Sequence, residues 1–142
     1  MTQSVLTMGT FDLMHVGHVR LLRACREIAG DFGIVYAAAN PDDFVERFKG
    51  RRPIIPLAER LEMLRACRYV DHALVNSGGE NAKPVIAEAS PAVIVIGSDW
   101  ENRDYFAQLG VTAEWLLAQR IRIQYVPYTE GVSSTEIRGR LG

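Results

Sequence analysis

Ser4-Val5-Leu6-Thr7-Met8-Gly9-Thr10-Phe11-Asp12-Leu13-Met14-His15-Val16-Gly17-His18 is the stretch on which the fold turns. Ser4 to Met8 is a short run rich in strand formers, and Gly9 closes it with a residue that lets the chain turn tightly. From Gly17 the apolar spacing becomes helical: Leu21, Leu22, Cys25, Ile28 and Ala29 share one face, while Arg20, Arg23, Arg26 and Glu27 point away. Gly30 stands where a helix C-terminus favours glycine. Phe32 to Ala39 then reads as a strand with little alternation, as expected when both faces of a sheet are covered.

The same strand–helix rhythm continues along the chain. Asn40 to Pro56 is irregular and polar, carrying Asp42, Asp43, Lys49, Arg51 and Arg52. A helix follows with Leu57, Leu61, Leu64 and Cys67 on its apolar face, then a strand over Val70 to Val75. Ser77-Gly78-Gly79 is a turn, Lys83 to Ala89 a helix, and Ala92 to Ile96 the most strand-like segment. Helical spacing from Tyr105 to Gln119 breaks at Gly110, Ile121 to Val126 alternates as a last strand, and Ser133 with Glu136 has capping-box spacing for a terminal helix. This alternation predicts an α/β fold, a single Rossmann-like doubly wound parallel sheet of about five strands with helices on both faces. One domain is expected over residues 1–142.

Composition narrows the function classes. With 48% hydrophobic residues, 23% charged residues and a net charge of −1, the chain has the balance of a globular domain and lacks the basic excess of a general nucleic-acid binder. Cys25 and Cys67 fall on apolar helical faces without metal-ligand spacing, so reduced core thiols are expected rather than a zinc site. Nothing at the N-terminus reads as a signal peptide and no apolar run reaches membrane-spanning length, which makes a cytoplasmic location the expectation.

Ligands of such sheets bind beyond the carboxyl ends of the strands, so the turn from Gly9 to His18 is the place to look for chemistry. Gly17 lets backbone approach a ligand closely at the helix start. Two of the three histidines, His15 and His18, flank that start, where free amide N–H groups and the helix dipole favour an anion. Imidazoles there can hydrogen-bond phosphoryl oxygens. His72 lies in a strand pattern and reads as structural.

Gly-Thr-Phe-Asp-Leu-Met-His-Val-Gly-His resembles the signature of the cytidylyltransferase family. Three more segments resemble the family in its order: AERLEMLRACRYVDHALV from Ala58, Gly97-Ser98-Asp99-Trp100 against Gly-Asp-Asp-Trp, and TEGVSSTEI from Thr129. Class I aminoacyl-tRNA synthetases share only the first element. The resemblance implies in-line attack of an acceptor phosphate on the α-phosphorus of a nucleoside triphosphate, with pyrophosphate leaving and no covalent enzyme intermediate.

Carried over residue by residue, it implies that His15 and His18 contact the triphosphate at the reacting centre, and that Gly9, Thr10, Phe11 and Gly17 line the same phosphates. Lys49 matches the family's lysine that bridges donor and acceptor phosphates, with Arg51 and Arg52 as alternatives on the acceptor side. Arg60 matches an arginine near the nucleotide or acceptor. Asp99 and Trp100 are implied in the base and ribose pocket, Thr129 and Gly131 beside the nucleotide, and Ser133, Ser134 and Thr135 at the β- and γ-phosphates. Asp12 is a candidate on the acceptor side and a weak one for magnesium, which is expected to arrive with the triphosphate; no metal-binding cluster of residues is expected. Tyr128 stands where many cytidylyltransferases have arginine, which implies either that Arg51, Arg52 or Arg138 supplies the cation or that the chain belongs to a branch with a different acceptor or nucleotide, and Ser98 replaces an aspartate.

CTP with glycerol 3-phosphate is the leading substrate pair. ATP with a sugar phosphate or similar acceptor is the alternative within the same chemistry, and a nucleotide-binding module without turnover is a third reading. No nucleic-acid or membrane partner is expected, and the resemblance implies a homodimer.

Overall fold

A computed structural model of the chain describes residues 3–97, 106, 109–127 and 133–141. Its elements run β1 (Ser4–Gly9), α1 (Val16–Ala29), β2 (Ile34–Ala39), α2 (Asp42–Lys49), α3 (Leu57–Ala66), β3 (His72–Val75), α4 (Lys83–Ala89), β4 (Val93–Gly97), α5 (Ala113–Ala118), β5 (Arg122–Val126) and α6 (Ser134–Arg140). The strands form one parallel sheet in the order β3-β2-β1-β4-β5, the doubly wound α/β arrangement expected.

Period-two alternation divides the core between the two faces of the sheet. Val5, Val35, Val93 and Val95 pack with Cys25 and Ala29 of α1, while Ala37 and Ala39 pack with Leu61 and Leu64 of α3. Leu6, Ala38, Ile94 and Ile96 face the other way, onto Val85, Ile86 and Ala89 of α4 and Leu116 of α5. Strands covered on both sides need no polar face, which explains the unbroken Val-Ile-Val-Ile run of β4. The chain winds from β1 through β2 to β3, then returns to the opposite side of β1 to lay down β4 and β5. The order reverses between β1 and β4, and the carboxyl ends of those strands flank the crevice where such folds take ligands.

Several local expectations need correction. Phe32 is not in a strand: it is 88% exposed in the turn after α1, and β2 begins at Ile34. The third strand begins at His72, because the Val70 N–H is turned back onto the Cys67 carbonyl. Asn40 to Pro56 is not irregular throughout, since Asp42–Lys49 form α2. Its signals are legible in hindsight: Asp42 and Asp43 suit the positive end of the helix dipole, and Phe44 and Val45 bury one face. Gly50 ends it with φ +79°, its N–H bonded to the Glu46 carbonyl. Lys49, expected on a loop, is therefore the last helical residue. The turn expected at Gly9 is made two and four residues later, by Phe11 and Leu13 at φ 56° and 50°. Left-handed backbone at non-glycine residues is costly, and this strain sits in the loop that carries the histidines.

Candidate functional site

The loop between β1 and α1 is fastened from both sides through Asp12, which is only 3% exposed. Its Oδ2 accepts from the Ile54 N–H at 2.8 Å and its Oδ1 from the Ile55 N–H at 2.9 Å. Arg138 of α6 closes an ion pair on the same carboxylate. Burial pushes the Asp12 carboxyl up, but the Ile55 and Ile54 N–H groups and Arg138 outweigh it and hold the group below the usual carboxylate range. A depressed native pKa stabilises the fold above the unfolded value and loses that stability as pH falls below it. Asp12→Asn should therefore lower the melting temperature at neutral pH and reduce its fall in acid, which thermal melts at stepped pH would measure.

His15 and His18 open α1 as a reciprocal capping box. His15 Nδ1 accepts from the Gly17 N–H at 3.0 Å, and His18 Nδ1 accepts from the His15 N–H at 3.2 Å. The two rings stack with centroids 3.9 Å apart and 25° between planes, and Phe11 lies 5.5 Å from the His18 ring. The two imidazoles thus share one environment. The Gly17 N–H is taken up by this cap. Burial pushes both rings' pKa down; for His18 the neighbouring His15 adds to it, Asp12 opposes and Lys49 adds further, leaving His18 at about 3.

The unfolded chain takes up this proton below about pH 6.5 while the native ring stays neutral to about 3, so native stability declines as pH falls through that window. The slope for one ring is at most about 1.4 kcal/mol per pH unit. His18→Asn keeps an acceptor for the cap and has nothing to titrate, so the decline between pH 6.5 and 4 should be shallower in urea unfolding.

Arg60 of α3 is 1% exposed and is spent on protein groups. Its Nε donates to the Ile55 carbonyl at 2.8 Å, Nη1 to the carbonyls of Thr10 at 2.7 Å and Asn40 at 2.8 Å, and Nη2 to Asp42 at 2.6 Å. Asn40 directly follows β2, with its N–H on the Gly9 carbonyl and its Oδ1 accepting from Asn76 at 3.1 Å. Asn76, 2% exposed, also donates to the Gly79 carbonyl at 3.2 Å. This network ties the ends of β1, β2 and β3 together beneath the loop. Asp42, Asn40 and Asn76 were not among the expected site residues. Asn40 and Asp42 carried one signal, their place directly after a predicted strand.

The remaining cations sit around this frame. Lys49 ends α2 over the Phe48 ring, 5.5 Å from its centroid, close enough for its charge to act on His18. Arg52 reaches Asp42 and Glu46, both at 3.9 Å, and Arg51 is exposed beside it. Ser133 caps α6 by accepting from the Glu136 N–H at 3.0 Å; Ser134 begins the helix and Thr135 is exposed. Ser98, Asp99, Trp100, Tyr128, Thr129 and Gly131 lie outside the described residues. His72 is apart from the site, stacked on Tyr36 at 5.2 Å. Cys25 is buried, its thiol pushed up to about 12 by burial, and Cys67 is also unpaired.

Among the described residues no cluster of three or more His, Cys, Asp or Glu could hold a metal, and no helix is long and apolar enough to cross a membrane. Asp12 has both carboxylate oxygens engaged by N–H donors and an arginine, which does not suit it to hold magnesium.

The parallel sheet reverses at β1, and a helix start bearing two imidazoles stands at that point. The cytidylyltransferase-like family model matches residues 6–140, and the chain belongs to that family and is, as a class, a nucleotidyltransferase. Two kinds of curated relative match about equally. The glycerol-3-phosphate cytidylyltransferase of Staphylococcus aureus is 34% identical over 96% of this chain and 93% of its own length. The FAD synthase of Pyrococcus horikoshii is 37% identical over 96% of this chain and 90% of its own. Among solved structures, a lipopolysaccharide core biosynthesis protein from Thermoplasma volcanium superposes with a TM-score of 0.67 at 24% identity, covering 89% of this chain and 98% of that one. TmcAL of Thermotoga maritima, solved with alpha-thio ATP, gives 0.65 at 18% identity, covering 99% of this chain and 50% of that one. Both likenesses are of fold.

Proposed function

We propose that the chain transfers a cytidylyl group from CTP to a small phosphorylated polyol, with glycerol 3-phosphate the leading acceptor, giving a CDP-linked product and pyrophosphate. The observation that carries the reading is the stacked His15–His18 pair, 3.9 Å between centroids, at the start of α1 and at the switch point of the sheet. An oxygen of the acceptor phosphate attacks the α-phosphorus, the bond to the bridging oxygen breaks, and its electron pair leaves with pyrophosphate. Such a reaction asks the protein mainly to align two anions and offset charge, and alignment supplies roughly 7–11 kcal/mol of barrier reduction.

In this reading His15 and His18 hydrogen-bond the reacting phosphoryl group, aided by Thr10 and Phe11 of the loop. Lys49 bridges donor and acceptor, and Arg51 and Arg52 face the acceptor. Ser133, Ser134 and Thr135 serve the β- and γ-phosphates; Asp99, Trp100, Thr129 and Gly131 serve the nucleotide, and Tyr128 the acceptor. Arg60 and Asp12 are positioning residues, holding the loop that the nucleotide rests on. Magnesium enters as the counter-ion of the triphosphate substrate. A cytosolic homodimer belongs to the same reading, and sedimentation equilibrium should return twice the monomer mass.

The similarity to FAD synthases favours a second reading, adenylyl transfer from ATP to FMN or another phosphorylated acceptor. Pyrophosphate release, measured for CTP and ATP against a panel of glycerol 3-phosphate, sugar phosphates and FMN, separates the two. Release with no pairing overturns both. Melting curves add a cheap check, since a nucleotide at a hundred times its Kd stabilises by about 2.7 kcal/mol and the unselected one by far less.

A further inference from the structure

We propose that the capping box itself holds His15 and His18 as neutral Nε2–H tautomers, which act on phosphoryl oxygens as fixed hydrogen-bond donors and never carry a proton for the reaction. The second half of this inference rests on the proposed nucleotidyl transfer; the first does not.

A neutral imidazole has one proton for two nitrogens, and the partner of one nitrogen decides where it sits. Here each Nδ1 faces a backbone N–H, from Gly17 for His15 and from His15 for His18. A nitrogen that accepts from an N–H must present its lone pair, so the ring proton is on Nε2 in both residues. Forming an imidazolium would put a second proton on Nδ1, facing the N–H that now bonds it. The helix start would lose its cap, and a cation would stand at the positive end of the dipole of α1.

The surroundings point the same way. The rings stack on each other at 3.9 Å, so charging both would place like charges face to face. Phe11 packs against His18, and Lys49 approaches from α2. Asp12 is the anion near His18, and it already faces Ile54, Ile55 and Arg138 of α6. Burial has already driven the His18 ring well below its ordinary range.

The proposed chemistry needs no proton at these nitrogens. The electron pair that arrives with the acceptor oxygen is matched by the pair that departs with pyrophosphate. Neutral donors suffice, and the net charge is left to Lys49, Arg51, Arg52 and the magnesium of the nucleotide. A helix N-terminus that keeps a histidine neutral so that it donates is an established way to polarise an oxygen.

The test is two-dimensional long-range ¹H–¹⁵N NMR of the imidazole nitrogens in the full chain, free and with inorganic pyrophosphate as the probe. His72→Asn removes the third ring's signals, and His18→Asn assigns the remaining pair. The expected result is a bare Nδ1 and a protonated Nε2 in both rings from pH 8 to pH 5, with pyrophosphate moving the Nε2 signals. An Nδ1–H tautomer or an imidazolium in either ring at pH 7, free or bound, overturns the lock. Two correctly locked rings whose signals ignore pyrophosphate overturn the donor role instead, and with it the phosphate-site reading. As a second readout, His18→Gln, which carries an amide N–H near the Nε2 position, should retain more turnover than His18→Asn; equal losses count against a donor at that atom.

Discussion

Replacing His18 by asparagine should lower kcat by about 10²–10³-fold while leaving the fold and most nucleotide affinity in place. The magnitude is that of removing one donor aimed at charge that develops in the transition state, inside a partly dehydrated site. Asparagine is the informative substitution because its amide oxygen can still accept from the His15 N–H and keep α1 capped, whereas the Nε2–H disappears. Steady-state pyrophosphate release and a melting curve on the same preparation check it. A loss confined to KM would mean that the ring binds ground and transition states alike. Unchanged turnover would remove His18 from the reacting centre and leave it as a helix cap, and a melting temperature that collapses would show the cap to be more than asparagine can replace.

The second large effect is on stability. Arg60→Met should destabilise the fold by about 3–5 kcal/mol, the cost of removing one partner from a buried ion pair, which for a domain of this size is a drop of about 10–20 °C in Tm. Methionine fills the volume of the alkyl stem but takes the guanidinium donors away from the carbonyls of Thr10, Asn40 and Ile55 and from Oδ1 of Asp42. Arg60→Lys should recover little, because one ammonium cannot reach four acceptors that a planar fork reaches together. Urea unfolding of the two variants would measure both. If Arg60→Met kept its stability and lost only activity, the guanidinium would have to leave its protein partners and reach a ligand, and the positioning role would be wrong.

The sheet was legible because its signals are local. Ala92 to Ile96 reads as a covered strand from four β-branched residues in series, within one residue of the observed Val93–Gly97, and Leu21, Leu22, Cys25, Ile28 and Ala29 read as one helix face from spacing alone. The helical stretch 42–49 escaped because its acidic opening and basic close look like a solvated loop, and Pro41 ahead of it reinforced that reading. Phe32 has the type of a strand residue, yet the turn from Gly30 to Gly33 leaves it in solvent. There the backbone path overrode side-chain preference.

From its order of residues alone this protein is set as a parallel α/β sheet with two histidines at the first strand-to-helix turn, since periodicity and a glycine-punctuated motif act over a few residues. What tertiary structure alone decided is what each polar group faces. Asp12 meets Arg138 across 126 positions and Arg60 meets Thr10 across 50, so two residues expected near the ligands are held by the protein's own groups. Such pairings depend on which strand ends the sheet brings together, and on burial that leaves a donor no partner but the nearest acceptor, neither of which is written in any short window of the chain.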